Sequence, residues 1–64
     1  MEAEYLRRYL NKKVHLINKD GLHYNGKIVE VGDDSIVFLD KFNKELLFDF
    51  DAIRELHPLE DDAQ

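Results

Sequence analysis

Cysteine is absent from this chain, which excludes disulfides and thiolate zinc sites. Serine occurs only once, at Ser35, and in no nucleophile context. No histidine–carboxylate pair has a catalytic spacing, and no glycine-rich loop could cradle phosphate, so an enzyme is not expected. The three histidines, His15, His23 and His57, are scattered rather than spaced as ligands, so neither a metal nor a cofactor is expected. No apolar run approaches the roughly 20 residues that span a bilayer, and no signal-peptide pattern opens the chain. The expectation is a cytoplasmic protein with no membrane partner.

A chain of 64 residues makes one domain whose core is near the lower limit for independent folding. With disulfides and thiolate metal sites excluded, association with copies of itself is the most economical further source of stability. The net charge is −5, unevenly spread: residues 1–27 hold six Lys/Arg against three Asp/Glu, and residues 28–64 hold three against eleven. Such a gradient places basic and acidic surfaces on different parts of the fold.

The pattern along the chain predicts one helix and then five short strands. In residues 2–11, Tyr5, Leu6, Tyr9 and Leu10 form one apolar stripe, with acids early and Arg7, Arg8, Lys12 and Lys13 late, as a helix dipole favours. Strand-like segments follow at 13–18, 22–31, 35–40, 45–50 and 53–57. Asp20-Gly21 between alternating apolar segments predicts a type I′ hairpin turn. Gly26, inside the second segment, marks a bulge, a bend or a close backbone approach. The connections are too short for βαβ crossovers, so the sheet should be antiparallel, bent at the glycine and curled into a small barrel. Segment 35–40 is apolar on both faces and should be central. The long second strand and the last strand should leave exposed edges, with 45–50 of one subunit pairing with 53–57 of the next. Residues 1–58 form the domain, and 59–64 form an acidic, frayed tail.

The order Val14, Leu16, Asp20-Gly21, Tyr24, Gly26, Ile28, Val31, then Ile36-Val37-Phe38-Leu39 resembles the first motif of the Sm-like (LSm) family. With the preceding helix, Leu6-Arg7-Arg8, and with Asp51-Ala52-Ile53 before Pro58, the layout is most similar to the Hfq branch of bacterial RNA chaperones. The resemblance spans residues 4–58. It implies an α-helix followed by a strongly bent five-stranded antiparallel Sm-like (SH3-type) barrel, a homo-oligomeric ring of about five to seven subunits, and a role in RNA metabolism or as an RNA chaperone.

The resemblance also implies sites. A basic rim on the helix would comprise Arg7, Arg8, Lys12 and Lys13. A base-reading surface at the first hairpin would comprise Lys19, Leu22, His23 and Asn25. The family's pore site for uridine would fall on Ile36 and on Asp49, Phe50 and Asp51, where carboxylates stand in place of cations. The connection between the third and fourth strands is also longer than in the Hfq branch, which would alter the rim of that face. The inner uridine site is therefore expected to be absent. Asp49 and Asp51, two apart on a strand, should point to one face and form carboxylate circles around a ring. The two functional readings are an RNA-binding ring that uses rim and hairpin face, and a protein-interaction or structural ring without RNA.

Overall fold

The computed structural model describes residues 2–59. A short helix, α1 (Ala3–Arg7), precedes five strands: β1 (Lys13–Asn18), β2 (His23–Val31), β3 (Ser35–Asp40), β4 (Glu45–Asp49) and β5 (Ile53–Pro58). A 3₁₀ turn, Phe50–Ala52, joins the last two strands. The strands form one antiparallel sheet in the order β4-β3-β2-β1-β5. The expected tail lies, apart from Leu59, outside the described residues. Leu59 itself donates its backbone N–H to the Lys13 carbonyl at 3.0 Å.

The sheet is mainly β and open, with β4 and β5 as its edges. This corrects the expectation that the second strand is an edge: β2 pairs with both β1 and β3. The two edges are nevertheless joined by only the three residues of the 3₁₀ turn. From Asp49 to Ile53 the chain spans at most about 14 Å, whereas the outer strands of a flat five-stranded sheet lie about 19 Å apart. The sheet must therefore curl strongly. The turn is tied at both ends, with Phe50 N–H donating to the Asp34 carbonyl (2.8 Å) and Lys19 N–H donating to the Ala52 carbonyl (2.9 Å).

Alternation along the strands sends Val14, Leu16, Ile28, Ile36, Phe38 and Phe48 into one core, closed by Leu6 of α1. In β5, which carries one more residue than β1 between Ile53 and Glu55, both Ile53 and Leu56 reach it although they are three apart. Tyr24, Phe38 and Phe48 meet edge to face within it, at ring separations of 5.1–6.5 Å. This geometry is favoured by the aromatic quadrupole.

The helix is shorter than its apolar stripe predicts. After Arg7, the N–H groups of Arg8, Tyr9 and Leu10 reach carbonyls three residues back, and Asn11 takes the left-handed conformation at φ 66°. Asn11 N–H then bonds the Ile28 carbonyl at 2.6 Å, and Leu10 bridges Ile28 in parallel. The second half of the stripe thus docks on β2 as turn rather than as helix.

The bend attributed to Gly26 lies elsewhere. Gly26 is in regular register, opposite Val14 and Asp40. The irregularity falls between Ile28 and Glu30, where β2 carries one more residue than β3. A bulge of this kind increases local twist and bends the strand. Gly26 instead permits a close approach: a Cβ there would collide with the Leu39 carbonyl oxygen and lie 2.8 Å from Cε2 of Phe38.

The first hairpin turn also differs from expectation. Gly21 has φ 83°, but Asp20 is not left-handed, so the turn is not type I′. Gly21 N–H closes onto the Asn18 carbonyl at 3.0 Å and Asn18 N–H onto the Leu22 carbonyl at 2.9 Å. This is the three-residue loop form, which needs a single left-handed residue.

Candidate nucleic-acid interface

The residues that alternate with the core face outward and form a polar surface. On β2 these are His23, Asn25 and Lys27, and on β1 they are Lys13 and His15. The register sets Lys13 opposite Lys27 and His15 opposite Asn25. On the other side of β1, His57 stands opposite His15.

An open cleft of about 380 Å³ lies at one end of this surface, lined among others by Lys13, Lys27, Lys41, Asn25 and Asn43. Gly26 and Leu39 also line it. They mark the place where β2 and β3 approach so closely that only glycine fits. Lys41 and Asn43 come from the β3–β4 loop, which repeats the geometry of the first hairpin. Asn43 N–H bonds the Asp40 carbonyl (2.9 Å), Asp40 N–H bonds the Lys44 carbonyl (2.9 Å), and Asn43 is left-handed at φ 64°. The Asp40 carboxylate, which also lines the cleft, accepts the N–H groups of Phe42 (2.8 Å) and Lys44 (2.9 Å) and so helps hold the loop.

At the tip of that loop Phe42 is 77% exposed, and the Lys41 ammonium lies 5.5 Å from its ring centre. A smaller depression, lined by His23, Tyr24, Asn25, Asp40, Lys41 and Phe42, adjoins the cleft. Lysines around a cleft, two amides within it and an exposed ring beside it can together neutralise phosphates, bond base edges and stack a base.

Of the residues singled out in the sequence, Lys13 and Asn25 meet in the cleft. Asn25 and His23 are joined through His15: His15 Nδ1 lies 2.6 Å from Asn25 Oδ1, and its Nε2 lies 2.8 Å from His23 Nδ1. Lys19 and Leu22 sit in the first hairpin turn, Leu22 being more than half exposed. Arg7, Arg8 and Lys12 are exposed on the helix end and the turn after it. Among the described residues, the side-chain ion pairs involve only Glu55, with Arg54 and with His57. The hydrogen bond from His57, helped by Arg54, holds the Glu55 carboxyl below its ordinary value.

Asp49 and Asp51 do not share a strand face as expected. Asp49 ends β4 and Asp51 lies in the 3₁₀ turn, because tethering of the turn to Asp34 and Lys19 breaks the period of two. Phe50, between them, packs partly against the core.

Sequence reasoning missed His15, Lys27, Lys41, Phe42 and Asn43. Lys27 was available as the continuation of the outward row His23, Asn25. Lys41–Asn43 was available in the likeness of Asp40-Lys41-Phe42-Asn43 to Asn18-Lys19-Asp20-Gly21, an Asx residue followed three positions later by one that tolerates positive φ. Among the described residues, no helix is long and apolar enough to cross a membrane. No family model matches the chain, and no curated protein matches its sequence.

Proposed function

We propose that the chain is an Sm-like barrel that assembles with copies of itself into a ring and binds single-stranded RNA on the outer face of its sheet. The curl imposed by the short Phe50–Ala52 link supports the barrel. The ring is supported by the two sheet edges, β4 and β5, since edge strands invite pairing with another chain. In the ring, β4 of one subunit pairs with β5 of the next.

The observation that carries RNA binding is the cleft of Lys13, Lys27 and Lys41 beside the exposed Phe42. The lysines supply sequence-independent attraction to phosphate and the ring supplies stacking that any base satisfies. The Asn25 side-chain oxygen is taken by His15, which leaves its amide N–H groups as donors toward a base edge. Arg7, Arg8 and Lys12 extend the basic surface, while Lys19, Leu22 and His23 border it at the first hairpin. With Asp49, Phe50 and Asp51 at the β4–β5 link, the inner uridine site of the family is absent.

The test is anisotropy of labelled poly(A), poly(U) and mixed-sequence RNA across a salt series. Three phosphate contacts per chain correspond to a log–log salt slope of about −2 for single strands. Lys27→Glu with Lys41→Glu should abolish most of the affinity, and Arg7→Glu with Arg8→Glu should reduce it. An absence of binding near micromolar concentrations, or affinity unchanged in the cleft variant, would overturn the reading. Light scattering tests assembly separately, and a monomer at high concentration would refute the ring.

One observation favours the second reading, a protein-interaction ring without RNA: the β4–β5 link carries exposed Asp49 and Asp51. A protein partner captured equally well before and after nuclease treatment, from material free of nucleic acid, would support it.

A further inference from the structure

We propose that His15 and His23 form a binding site for a divalent transition-metal ion, with Cu²⁺ preferred over Ni²⁺ and Zn²⁺. The site goes beyond RNA binding and does not depend on it. Adjacent strands bring the two rings to a centre separation of 4.9 Å, with His15 Nε2 facing His23 Nδ1 at 2.8 Å. The other His15 nitrogen, Nδ1, lies 2.6 Å from Asn25 Oδ1. An amide oxygen only accepts, so Nδ1 carries the proton and Nε2 presents its lone pair toward His23. A metal-ligating histidine is held in this way, its second ring N–H donated to an oxygen that fixes tautomer and orientation.

In the free protein a shared proton holds the two nitrogens 2.8 Å apart, so an ion that displaces the proton requires the two exposed rings to turn until both lone pairs meet on it. For imidazole ligands the affinity of divalent ions peaks at Cu²⁺, above both Ni²⁺ and Zn²⁺. Among the described residues, no group of three or more His, Cys, Asp or Glu side chains converges on one point, so water completes the coordination. His57 stands further off, its ring 6.4 Å from that of His15 and its Nε2 bonded to Glu55. In the free protein, His23 Nδ1–H donates to His15 Nε2, and metal binding replaces that proton.

The test adds Cu²⁺, Ni²⁺ and Zn²⁺ separately to the full chain at neutral pH, with calorimetry for affinity and, for Cu²⁺, pulsed electron paramagnetic resonance for the bound nitrogens. The expected result is one Cu²⁺ per chain held by two imidazoles, with Ni²⁺ and Zn²⁺ both weaker. His15→Gln and His23→Gln should each weaken Cu²⁺ binding by more than the roughly tenfold that loss of a supporting contact costs, and Asn25→Ala should weaken it by about tenfold. His57→Gln should leave it within a factor of about two, since a group outside the coordination sphere supplies no ligand bond. All four side chains are solvent-facing, and circular dichroism checks that each variant is folded. A single bound imidazole in the wild type, Zn²⁺ binding as tightly as Cu²⁺, or Cu²⁺ affinity unchanged when both histidines are replaced would overturn the assignment.

Discussion

Asn18 and Asp40 hold two different hairpins in the same way. Each accepts, through Oδ1, the backbone N–H groups two and four residues further on: Asp20 and Leu22 for Asn18, and Phe42 and Lys44 for Asp40. In both loops a left-handed residue, Gly21 or Asn43, follows at the third position. Removing either acceptor leaves two N–H groups to water and frees the loop. Asn18→Ala and Asp40→Ala should each destabilise by about 1–2 kcal/mol, additively because the loops are separate. Asn18→Asp, which keeps the acceptor, should stay within about 0.5 kcal/mol of the parent. Urea unfolding of the parent, the three single variants and the double alanine variant checks this, and equal loss for Asn18→Asp and Asn18→Ala would contradict it.

Gly26 and Gly21 should respond to alanine for different reasons. At Gly26 the new methyl meets the Leu39 carbonyl and the Phe38 ring. The β2–β3 ladder must open, and the expected loss is about 1–3 kcal/mol, as for other overpacked positions. At Gly21 there is open space, and the penalty is that of the left-handed backbone alone, about 1–2 kcal/mol. Amide hydrogen exchange separates the cases. Gly26→Ala should lower protection along β2 and β3, and Gly21→Ala only near the turn.

Glu55 titrates below its ordinary value of 4.5 because His57 bonds its carboxylate and Arg54 stands beside it. A carboxyl whose folded value is depressed stabilises the fold above the unfolded value and loses that contribution as pH falls through the folded one. The window therefore lies below pH 4.5, and the effect is small because the pair is exposed to solvent. Carbon-detected NMR should find the Glu55 carboxyl titrating below its ordinary value, and His57→Gln should return it toward the ordinary range. An unchanged Glu55 titration in His57→Gln would remove the assigned cause.

Phe42 offers the cleanest separation of function from fold. At 77% exposure its ring contributes little to the core, so Phe42→Ala should leave the unfolding midpoint unchanged. If RNA stacks on it, affinity should fall by about 1–3 kcal/mol per stacked base. Phe42→Tyr should bind as the parent does. Equal affinity in the alanine variant would place the bases elsewhere.

The strands were legible in the sequence because their signals are local. Alternation and Asx or glycine punctuation marked segments within a residue of Lys13–Asn18, Ser35–Asp40 and Ile53–Pro58. The helix was read too long because Tyr9 packs against the core and Leu10 bridges Ile28 of β2 from a turn, which apolar spacing does not distinguish from helix. The assembly of His15, His23 and Asn25 was hidden because it depends on cross-strand register, and Asp49 and Asp51 misled because a 3₁₀ turn interrupts the pleat. Lys13 and Asn25 were singled out on different surfaces, and only the β3–β4 loop makes them parts of one cleft.

The strand order also separates local pairings from a distant one. Contacts among β1, β2, β3 and β4 run through consecutive hairpins, so each can form as soon as its own two strands exist. β5 instead pairs with β1, closing a loop that contains every other strand and so carrying the largest closure entropy in the sheet. Without β5, the β1 edge that it covers would be open to any extended chain. Shielding of the core and the choice of correct partner for that edge are thus one and the same pairing.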